Sequence, residues 1–303
     1  MKTLPSVLIA AGALLGLSML AWSQSGAPAD PAAGTPQSFA LLDPDNQVVG
    51  RYSIPPDSDI LRHANAEEIL YGKRLLNETA RLLPDNVGGG LNCNSCHLSQ
   101  GKTDHGANYF NTINSYPKVM PRAAAMVDMA GRVNGCFMRS MNGKPLPVDS
   151  AEMRAIIAYF TWLREDVPKA LRVDTPSEGK IDTSLVPDPV RGKALYAAQC
   201  ATCHGDDGEG MKDQFGDYIF PPLWGDESFN IGAGMARTYK AAAFVFYNMP
   251  MGVNHKLPIG QGGALTQQEA VDVAEYFTHM PRPDFAPKGN DWPKGNKPKD
   301  ARY

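Results

Sequence analysis

The sequence predicts a mainly α-helical, loop-rich protein in which one helical unit occurs twice in tandem. Two observations support this prediction: similar helical segments flank two short cysteine motifs, and loop-forming residues are abundant. The 303 residues include 29 glycines and 25 prolines without a collagen-like period. The length is sufficient for two small domains. The net charge of −3 argues against nucleic acid as a partner.

The repeated unit is visible on both sides of the cysteine motifs. Upstream, YGKRLLNETA at 71–80 corresponds to RGKALYAAQC at 191–200. Downstream, DSAEMRAIIAYFTWL at 149–163 corresponds to TQQEAVDVAEYFTHM at 266–280. Apolar residues recur at helical spacing in both downstream segments, so we expect each half to close with an amphipathic helix.

The starts of the two closing helices carry a local signal. Asp149 and Glu152 bracket the first start, and Thr266 and Glu269 bracket the second. This spacing is typical of a capping box, in which two side chains satisfy free amide groups of the first helical turn.

The N-terminus has the layout of a secretory signal. One lysine precedes an apolar run, and Ala21 and Ser23 stand at the −3 and −1 positions of a possible cleavage site before Gln24. The run is short for a membrane span. We therefore expect residues 1–23 to be a signal peptide and the protein to be periplasmic. A retained N-terminal anchor is the alternative.

Two pentapeptides, CNSCH at 93–97 and CATCH at 200–204, match the C-x-x-C-H motif of c-type haem attachment. Two thiols one turn apart can bind the two vinyl groups of one porphyrin, and the following histidine can reach the iron. A redox pair, a disulfide or a zinc site is the alternative, but zinc would not require a histidine after each pair. We therefore expect two covalently bound haem c groups. The predicted attachment residues are Cys93, Cys96, Cys200 and Cys203, and the predicted proximal iron ligands are His97 and His204.

Each half thus has a helix, a haem motif, a long loop, a distal ligand and a closing helix, which is the plan of a cytochrome c domain. The segment between the halves is polar and contains prolines, which is typical of a linker. We expect a signal peptide at 1–23, an N-terminal extension at 24–60, a first cytochrome c domain at 61–171, a linker at 172–189, a second cytochrome c domain at 190–282 and a C-terminal tail at 283–303 that drapes over the surface.

The distal ligand of the second half is predicted to be Met249. It precedes a proline, lies 45 residues after His204 and stands in the loop ahead of the closing helix. Small cytochromes c present their axial thioether in such a loop. Met251 is the second choice, and a methionine of the core remains possible. The other candidates considered are Met211, Met235, His255, His279 and Met280, with His279 expected to be a packing or surface residue.

The fifth cysteine, Cys136, occupies the corresponding place in the first half. It lies 39 residues after His97 and 16 before Glu152, whereas Met249 lies 20 before Glu269. A buried cysteine can pack as a small hydrophobic residue. An unpaired thiol is a liability in an oxidising compartment, however, unless it is protected or used. We therefore expect Cys136 to bind the first haem iron. Its rivals are Met120, Met126, Met129, Met138, Met141 and His105.

A thiolate ligand has a redox consequence. Anionic sulfur stabilises ferric iron, so the first haem should have a low potential and a histidine–methionine haem a higher one. Electrons would then run from a substrate at the first haem towards the second. Two one-electron acceptors also match a two-electron reaction.

Several segments resemble the dihaem thiosulfate dehydrogenases: RVNGCFMRSMNGKPLP, the two haem motifs, NMPMG and GQGGALTQQEAVDVAEYF. The resemblance covers about residues 40 to 285. It implies that two thiosulfate ions are joined to tetrathionate with release of two electrons, and some members of the family work chiefly in reverse. It also implies a c-type cytochrome or similar redox protein, soluble or attached to a membrane, as electron partner.

The resemblance also assigns roles to individual residues. It implies an active-site haem held by His97 and Cys136 and an electron-transfer haem held by His204 and Met249. Some members have a lysine directly before that methionine, which can replace it on the oxidised haem. Here the position is Asn248, so we do not expect such an exchange.

The basic residues near Cys136 suit such a substrate. Two thiosulfate dianions repel one another at short range, and fixed cations must offset this repulsion. Cys136 could itself carry a sulfur adduct of the substrate if it leaves the iron. Each basic group could instead pair with a haem propionate or lie on the surface. The candidate substrate-binding residues are Arg122, Arg132, Arg139 and Ser140, with Lys102 in the same domain.

Two other functions remain open at this point. One is a dihaem electron carrier without a substrate of its own, and the other is a dihaem peroxidase, which requires a vacant or readily vacated iron position. A pure carrier needs neither Cys136 nor the arginines around it, so these residues favour the enzyme.

Overall fold

The computed structural model describes residues 37–251 and 262–303. The predicted signal peptide at 1–23 and the candidate ligand His255 lie outside these ranges. Within them, none of the helices is both long enough and apolar enough to cross a membrane.

Helices dominate the described residues, as predicted. Three of them have only four residues: one precedes the first haem motif, one directly follows that motif, and one lies within the second motif. The helices are α1 (Ala66–Asn77), α2 (Thr79–Leu82), α3 (Leu98–Gly101), α4 (Met129–Arg139), α5 (Ala151–Trp162), α6 (Pro189–Gln199), α7 (Ala201–His204), α8 (Thr238–Asn248) and α9 (Gln267–Thr278).

Short antiparallel strands connect the helices. In the largest sheet the order is β2-β1-β5, and the other strands form two hairpins, β3 with β4 and β6 with β7. The strands are β1 (Ser38–Leu42), β2 (Val48–Ser53), β3 (Lys118–Met120), β4 (Ala125–Val127), β5 (Arg172–Val173), β6 (Met211–Lys212) and β7 (Tyr218–Phe220).

Both halves cross their first and last helices at a glycine. In the first half α1 packs on α5, and a Cβ atom on Gly72 would lie 2.0 Å from the carbonyl oxygen of Ala155. In the second half α6 packs on α9, and a Cβ atom on Gly192 would lie 2.0 Å from the carbonyl oxygen of Asp272. Only glycine permits such close approach. The predicted tandem helical repeat is therefore confirmed.

The helix starts differ in detail from the prediction. Thr266 and Glu269 form the predicted capping box at the start of α9. At the start of α5 the prediction that Asp149 caps the helix is wrong. Ser150 is the N-cap, and its hydroxyl accepts a hydrogen bond from the Met153 amide. Serine caps as well as aspartate does, so the sequence alone could not decide between neighbours.

The segments outside the two helical units also pack closely. Within the predicted extension, the Tyr52 hydroxyl donates to the Leu163 carbonyl at 2.8 Å. Within the predicted linker, Arg172–Val173 forms β5 and pairs with β1. Within the predicted tail, Phe285 and Trp292 are buried. These contacts anchor the segments to the two halves, while most residues of the tail stay exposed or half-buried on the surface.

Candidate functional site

The cysteines of the first motif sit in a turn that local hydrogen bonds fix. Asn92 and Ser95 cap the turn Cys93–Ser95 reciprocally. Thr79 on α2 accepts the Cys93 amide at 3.0 Å and donates to its sulfur at 3.4 Å. Burial raises the pKa of Cys93 and of Cys96 to about 12. Neither forms a disulfide, so both sulfurs are available for attachment to a porphyrin.

The two motif histidines are oriented in the same way. His97 Nδ1 lies 2.5 Å from the Ala107 carbonyl, and its ring stacks on Tyr109 with centroids 4.4 Å apart. His204 Nδ1 lies 2.9 Å from the Pro221 carbonyl. Burial lowers the pKa of His204, which favours the neutral imidazole. A carbonyl on Nδ1 leaves Nε2 as the free nitrogen, which is the usual arrangement of a histidine that binds a metal.

Cys136 lies on α4, one turn after Arg132. Asp128 is the N-cap of this helix, and its carboxylate accepts a hydrogen bond from the Gly131 amide at 2.7 Å. The helix buries Val133 and Phe137 against the core. Cys136, beside that apolar stripe, is half-buried. Helical spacing of four residues brings the guanidinium of Arg132 onto its sulfur, with Nη1 donating to Sγ at 2.7 Å.

The charges around Cys136 favour its thiolate. Burial alone would raise its pKa, but Arg132 and His97 together lower the pKa of Cys136 to about 6. The thiolate in turn raises the pKa of Arg132. Because His97 lies close enough to act on Cys136, the structure brings together the two residues that the sequence pairs as ligands of one iron.

The rival residues of the first half have other surroundings. Met129 and Met141 are buried in the core, and Met126 is 65 % exposed. Met120 accepts a hydrogen bond from the Tyr116 hydroxyl at 3.6 Å. The rings of His105 and Tyr247 stack with centroids 4.3 Å apart. Met138 is half-buried.

Met249 is the C-cap of α8 in the second half, directly after the last helical residue. Its amide still donates to the Val245 carbonyl at 2.8 Å, but its backbone is extended, so the chain leaves the helix there. The side chain is partly buried and packs against the core, whereas Met251 is 38 % exposed. His279 Nδ1 lies 2.8 Å from the Glu275 carbonyl of the same helix. The surroundings of Met249 thus suit a distal ligand better than those of Met251 or His279.

Two of the three candidate arginines face the C-terminal tail. Arg139 donates to both carboxylate oxygens of Asp291, at 2.8 and 2.7 Å, and lies over the Phe285 ring at 4.1 Å. Arg122 Nε lies 3.8 Å from the same carboxylate, and its guanidinium lies over Trp292 at 4.8 Å. Their predicted role in substrate binding stays a prediction, but both have a structural partner that Arg132 lacks.

The remaining polar candidates are also accounted for. Ser140 ends α4, and its amide donates to the Cys136 carbonyl. Lys102 Nζ lies 2.8 Å from a carboxylate oxygen of Asp57. The substrate-binding role of Ser140 is likewise untested.

Sequence reasoning missed three residues that contact or influence the predicted site residues. Tyr109 stacks on His97, and Asp291 holds the arginines Arg122 and Arg139. Lys240, from α8 of the second half, pairs with Glu178. Burial and then the charge of Arg132 lower the pKa of Lys240, so this lysine lies near the first site. The motifs carry no signal for these contacts, because they join segments far apart in the chain.

The donor sets fit covalently attached haem. Each motif supplies two unpaired cysteines and a histidine whose Nδ1 is held by a carbonyl. The predicted addition of the Cys136 sulfur to the first set and of the Met249 sulfur to the second stays a prediction. Such different donors suit different redox roles, because an anionic ligand favours ferric iron and a thioether favours ferrous iron.

Comparisons with known proteins identify both halves as cytochrome c domains. Residues 86–168 match the family model described as SoxA/TsdA, cytochrome c domain, and residues 189–281 match the model described as Cytochrome c. The chain therefore has two cytochrome c domains and carries two covalently bound haem c groups. We refer to them as the first domain and the second domain.

The chain is also similar to complete relatives. It is 43 % identical to "Thiosulfate dehydrogenase" of Psychrobacter arcticus over 82 % of this chain and 74 % of the relative. It is 38 % identical to "Thiosulfate dehydrogenase" of Allochromatium vinosum over 73 % of this chain and 81 % of the relative. The solved structure "Thiosulfate dehydrogenase (TsdBA) from Marichromatium purpuratum" superposes with a TM-score of 0.68 at 32 % identity. That match covers 77 % of this chain and half the length of the solved chain.

Proposed function

Because this chain belongs to the thiosulfate dehydrogenase family, we propose that it interconverts thiosulfate and tetrathionate at the Cys136 site. Two S2O3²⁻ ions lose one electron each, and a new S–S bond joins them as S4O6²⁻. The two electrons leave through the second domain to an external c-type cytochrome or similar redox protein. The reverse reaction takes up two electrons and breaks the same S–S bond.

The observation that carries this proposal is the contact between Arg132 Nη1 and Cys136 Sγ at 2.7 Å. It places a fixed positive charge on a thiolate, next to His97. A pure electron carrier has no use for such a charged group. A site for two dianions needs cations already in place, because their mutual repulsion is on the order of several kcal/mol at short range in a poorly screened site.

We assign four ligand roles. His97 and Cys136 hold the iron of the first haem, and His204 and Met249 hold the iron of the second. When bound, the haems supply the one-electron acceptors of the reaction. The protein keeps both histidines oriented through the Ala107 and Pro221 carbonyls.

Arg132 has two tasks in this proposal. It stabilises the Cys136 thiolate, and it draws the first thiosulfate towards that sulfur. If Cys136 leaves the iron, its sulfur can form a bond to the terminal sulfur of one thiosulfate, with two electrons removed. Attack by the second thiosulfate then releases tetrathionate and restores the thiolate without further oxidation. Arg122, Arg139 and Ser140 remain candidates for binding the outer oxygens.

The proposed location is the periplasm. Cytochrome c maturation takes place outside the cytoplasm, and the sequence predicts a signal peptide at 1–23. Export also brings the protein to a compartment where an unpaired thiol such as Cys136 is best protected by a ligand role.

The direct test is thiosulfate-dependent reduction of an artificial one-electron acceptor by the haem-loaded protein, together with tetrathionate reduction by a reduced donor. We expect activity in the wild type and its loss in Cys136→Ser. We expect Arg132→Leu to lower turnover about 10- to 100-fold, the usual effect of removing a group that supports a metal ligand. Arg154→Leu, on the exposed face of α5, is the matched control and should behave as the wild type.

Absence of wild-type activity with both substrates would contradict the proposal. Activity with hydrogen peroxide instead would indicate a peroxidase. Reversible reduction without any turnover would indicate a carrier.

A further inference from the structure

The strongest unexplained feature is Asn248, the last residue of α8. Its side chain is fully buried, with 0 % exposed, although asparagine is usually found at the surface. The amide nitrogen donates to the Phe244 carbonyl of its own helix at 2.9 Å. It also donates to the His105 carbonyl of the first domain at 3.1 Å. Asn248 thus joins the two domains immediately before Met249.

The segment that it contacts belongs to the first haem site. Two residues after His105, the Ala107 carbonyl lies 2.5 Å from His97 Nδ1. The ring of His105 also stacks almost parallel on Tyr247, at an interplanar angle of 6°. The last turn of α8 is therefore held to this segment by a hydrogen bond and by a ring stack.

The energetics indicate that this amide is retained for its contacts. Among the described residues, Asn248 Oδ1 has no hydrogen-bond partner, which is unfavourable for a buried oxygen. A hydrophobic residue would avoid that cost but would leave the His105 carbonyl unpaired in the domain interface. Because both amide atoms are buried there, Asn248 acts through its neighbours and not as an iron ligand.

We infer that Asn248 is a positioning residue for the second haem. It fixes the end of α8, which presents Met249, to the segment of the first domain that orients His97. The distal ligand of one haem is thereby held by the domain of the other. This inference rests on the proposed role of Met249 as an iron ligand.

The test uses the full-length, haem-loaded protein and two spectroscopic measurements. The first is the far-red absorption band that a methionine sulfur gives on ferric haem. The second is the midpoint potential of each haem by spectroelectrochemistry. In Asn248→Leu we expect the band to lose at least half its intensity. We expect the equilibrium constant for reducing the second haem to fall about tenfold, which is about 59 mV for one electron.

Asn230→Leu is the matched control. Asn230 is also buried and donates to a backbone carbonyl of the first domain, that of Met138 at 2.8 Å, but it does not adjoin a ligand of the second haem. We expect it to leave the band and the second-haem potential unchanged. If Asn248→Leu does not fold, Asn248→Ser, whose hydroxyl is too short to reach His105, should show the same shift.

Three outcomes would overturn the inference. The first is an unchanged band and potential in a folded Asn248 variant. The second is an equal shift in the Asn230 control. The third is a wild type without the methionine band, which would refute the proposed Met249 ligation as well, whereas an unaltered Asn248 variant would leave that ligation intact.

Discussion

The two domains share one helix crossing but present their distal sulfur atoms differently. In the first domain Cys136 lies inside helix α4, where Arg132 is one turn away and donates to it. In the second domain Met249 lies directly after helix α8, where the backbone becomes extended. A helix interior fixes a second side chain beside the sulfur, whereas at the helix end the neighbouring Asn248 ties the backbone to the first domain. The same scaffold thus carries a charged sulfur in one domain and a thioether in the other, as the proposed division into a reactive site and an electron-transfer site requires.

The largest effect should come from making the first site resemble the second. Cys136→Met replaces an anionic donor with a neutral one, so the first-haem potential should rise. Thiosulfate turnover should fall by about a hundredfold or more, as when a group acting in the transition state is removed. Electron paramagnetic resonance should lose the thiolate signal, while the second haem serves as an internal control. Persistence of both the signal and turnover would show that another group binds this iron.

The shared helix crossing gives the next effect. A Cβ atom at position 72 or 192 would overlap a backbone carbonyl oxygen of the facing helix. We expect Gly72→Ala and Gly192→Ala each to lower the free energy of unfolding by about 2–3 kcal/mol, because the helices must move apart. Denaturant unfolding measures this change.

The control for these variants is Gly135→Ala, also within a helix. Nothing lies within 4 Å of a Cβ atom there, so alanine should be neutral or stabilising by up to about 1 kcal/mol. If only one of the two variants lost stability, the two helix crossings would differ in packing despite their similar backbone geometry.

The smallest effect on stability concerns a cluster of ion pairs in the first half of the chain. Asp57 binds Lys73 of α1 at 2.5 Å and Lys102, next to α3, at 2.8 Å. Burial opposes ionisation, but the two lysines hold the pKa of Asp57 below its ordinary value. A depressed carboxyl pKa adds stability above the unfolded pKa and loses it as the pH falls through the folded pKa.

Asp57→Asn should therefore lower the free energy of unfolding at pH 7. This loss should become progressively smaller as the pH falls below about 4. The side chain of Asp57 is 43 % exposed, so solvent screening should keep the cost below about 1 kcal/mol. Thermal unfolding at several pH values measures it, with the exposed Asp85→Asn as control. A difference that grows on acidification would have the wrong sign for this ion pair.

Much of the fold could be predicted because its signals are local. The C-x-x-C-H motifs, the similar segments that precede them and the periodicity of the closing helices lie within single segments. Counting from the two motifs also related Cys136 to Met249. The choice of Asp149 over Ser150 as helix cap was wrong, because both residues can cap and only the backbone decides which of them does.

The candidate substrate cations show where such reasoning ends. The sequence treats Arg122, Arg132 and Arg139 alike, since all three are basic residues of the first domain. In the structure Arg132 contacts Cys136, whereas Arg122 and Arg139 meet Asp291, more than a hundred residues later in the chain. Helical spacing allows the first contact but does not single it out, because Arg139 also lies about one turn from Cys136, and no local pattern predicts the other two.

The sequence by itself determined the tandem cytochrome c fold, the two haem attachment sites and the family, because short motifs with strict spacing encode them. Only the tertiary structure decided which arginine meets the thiolate, which ones hold the tail, and that Asn248 turns towards His105 instead of the solvent. These contacts depend on how distant segments pack against each other. Close packing in three dimensions selects such partners, and spacing along the chain does not.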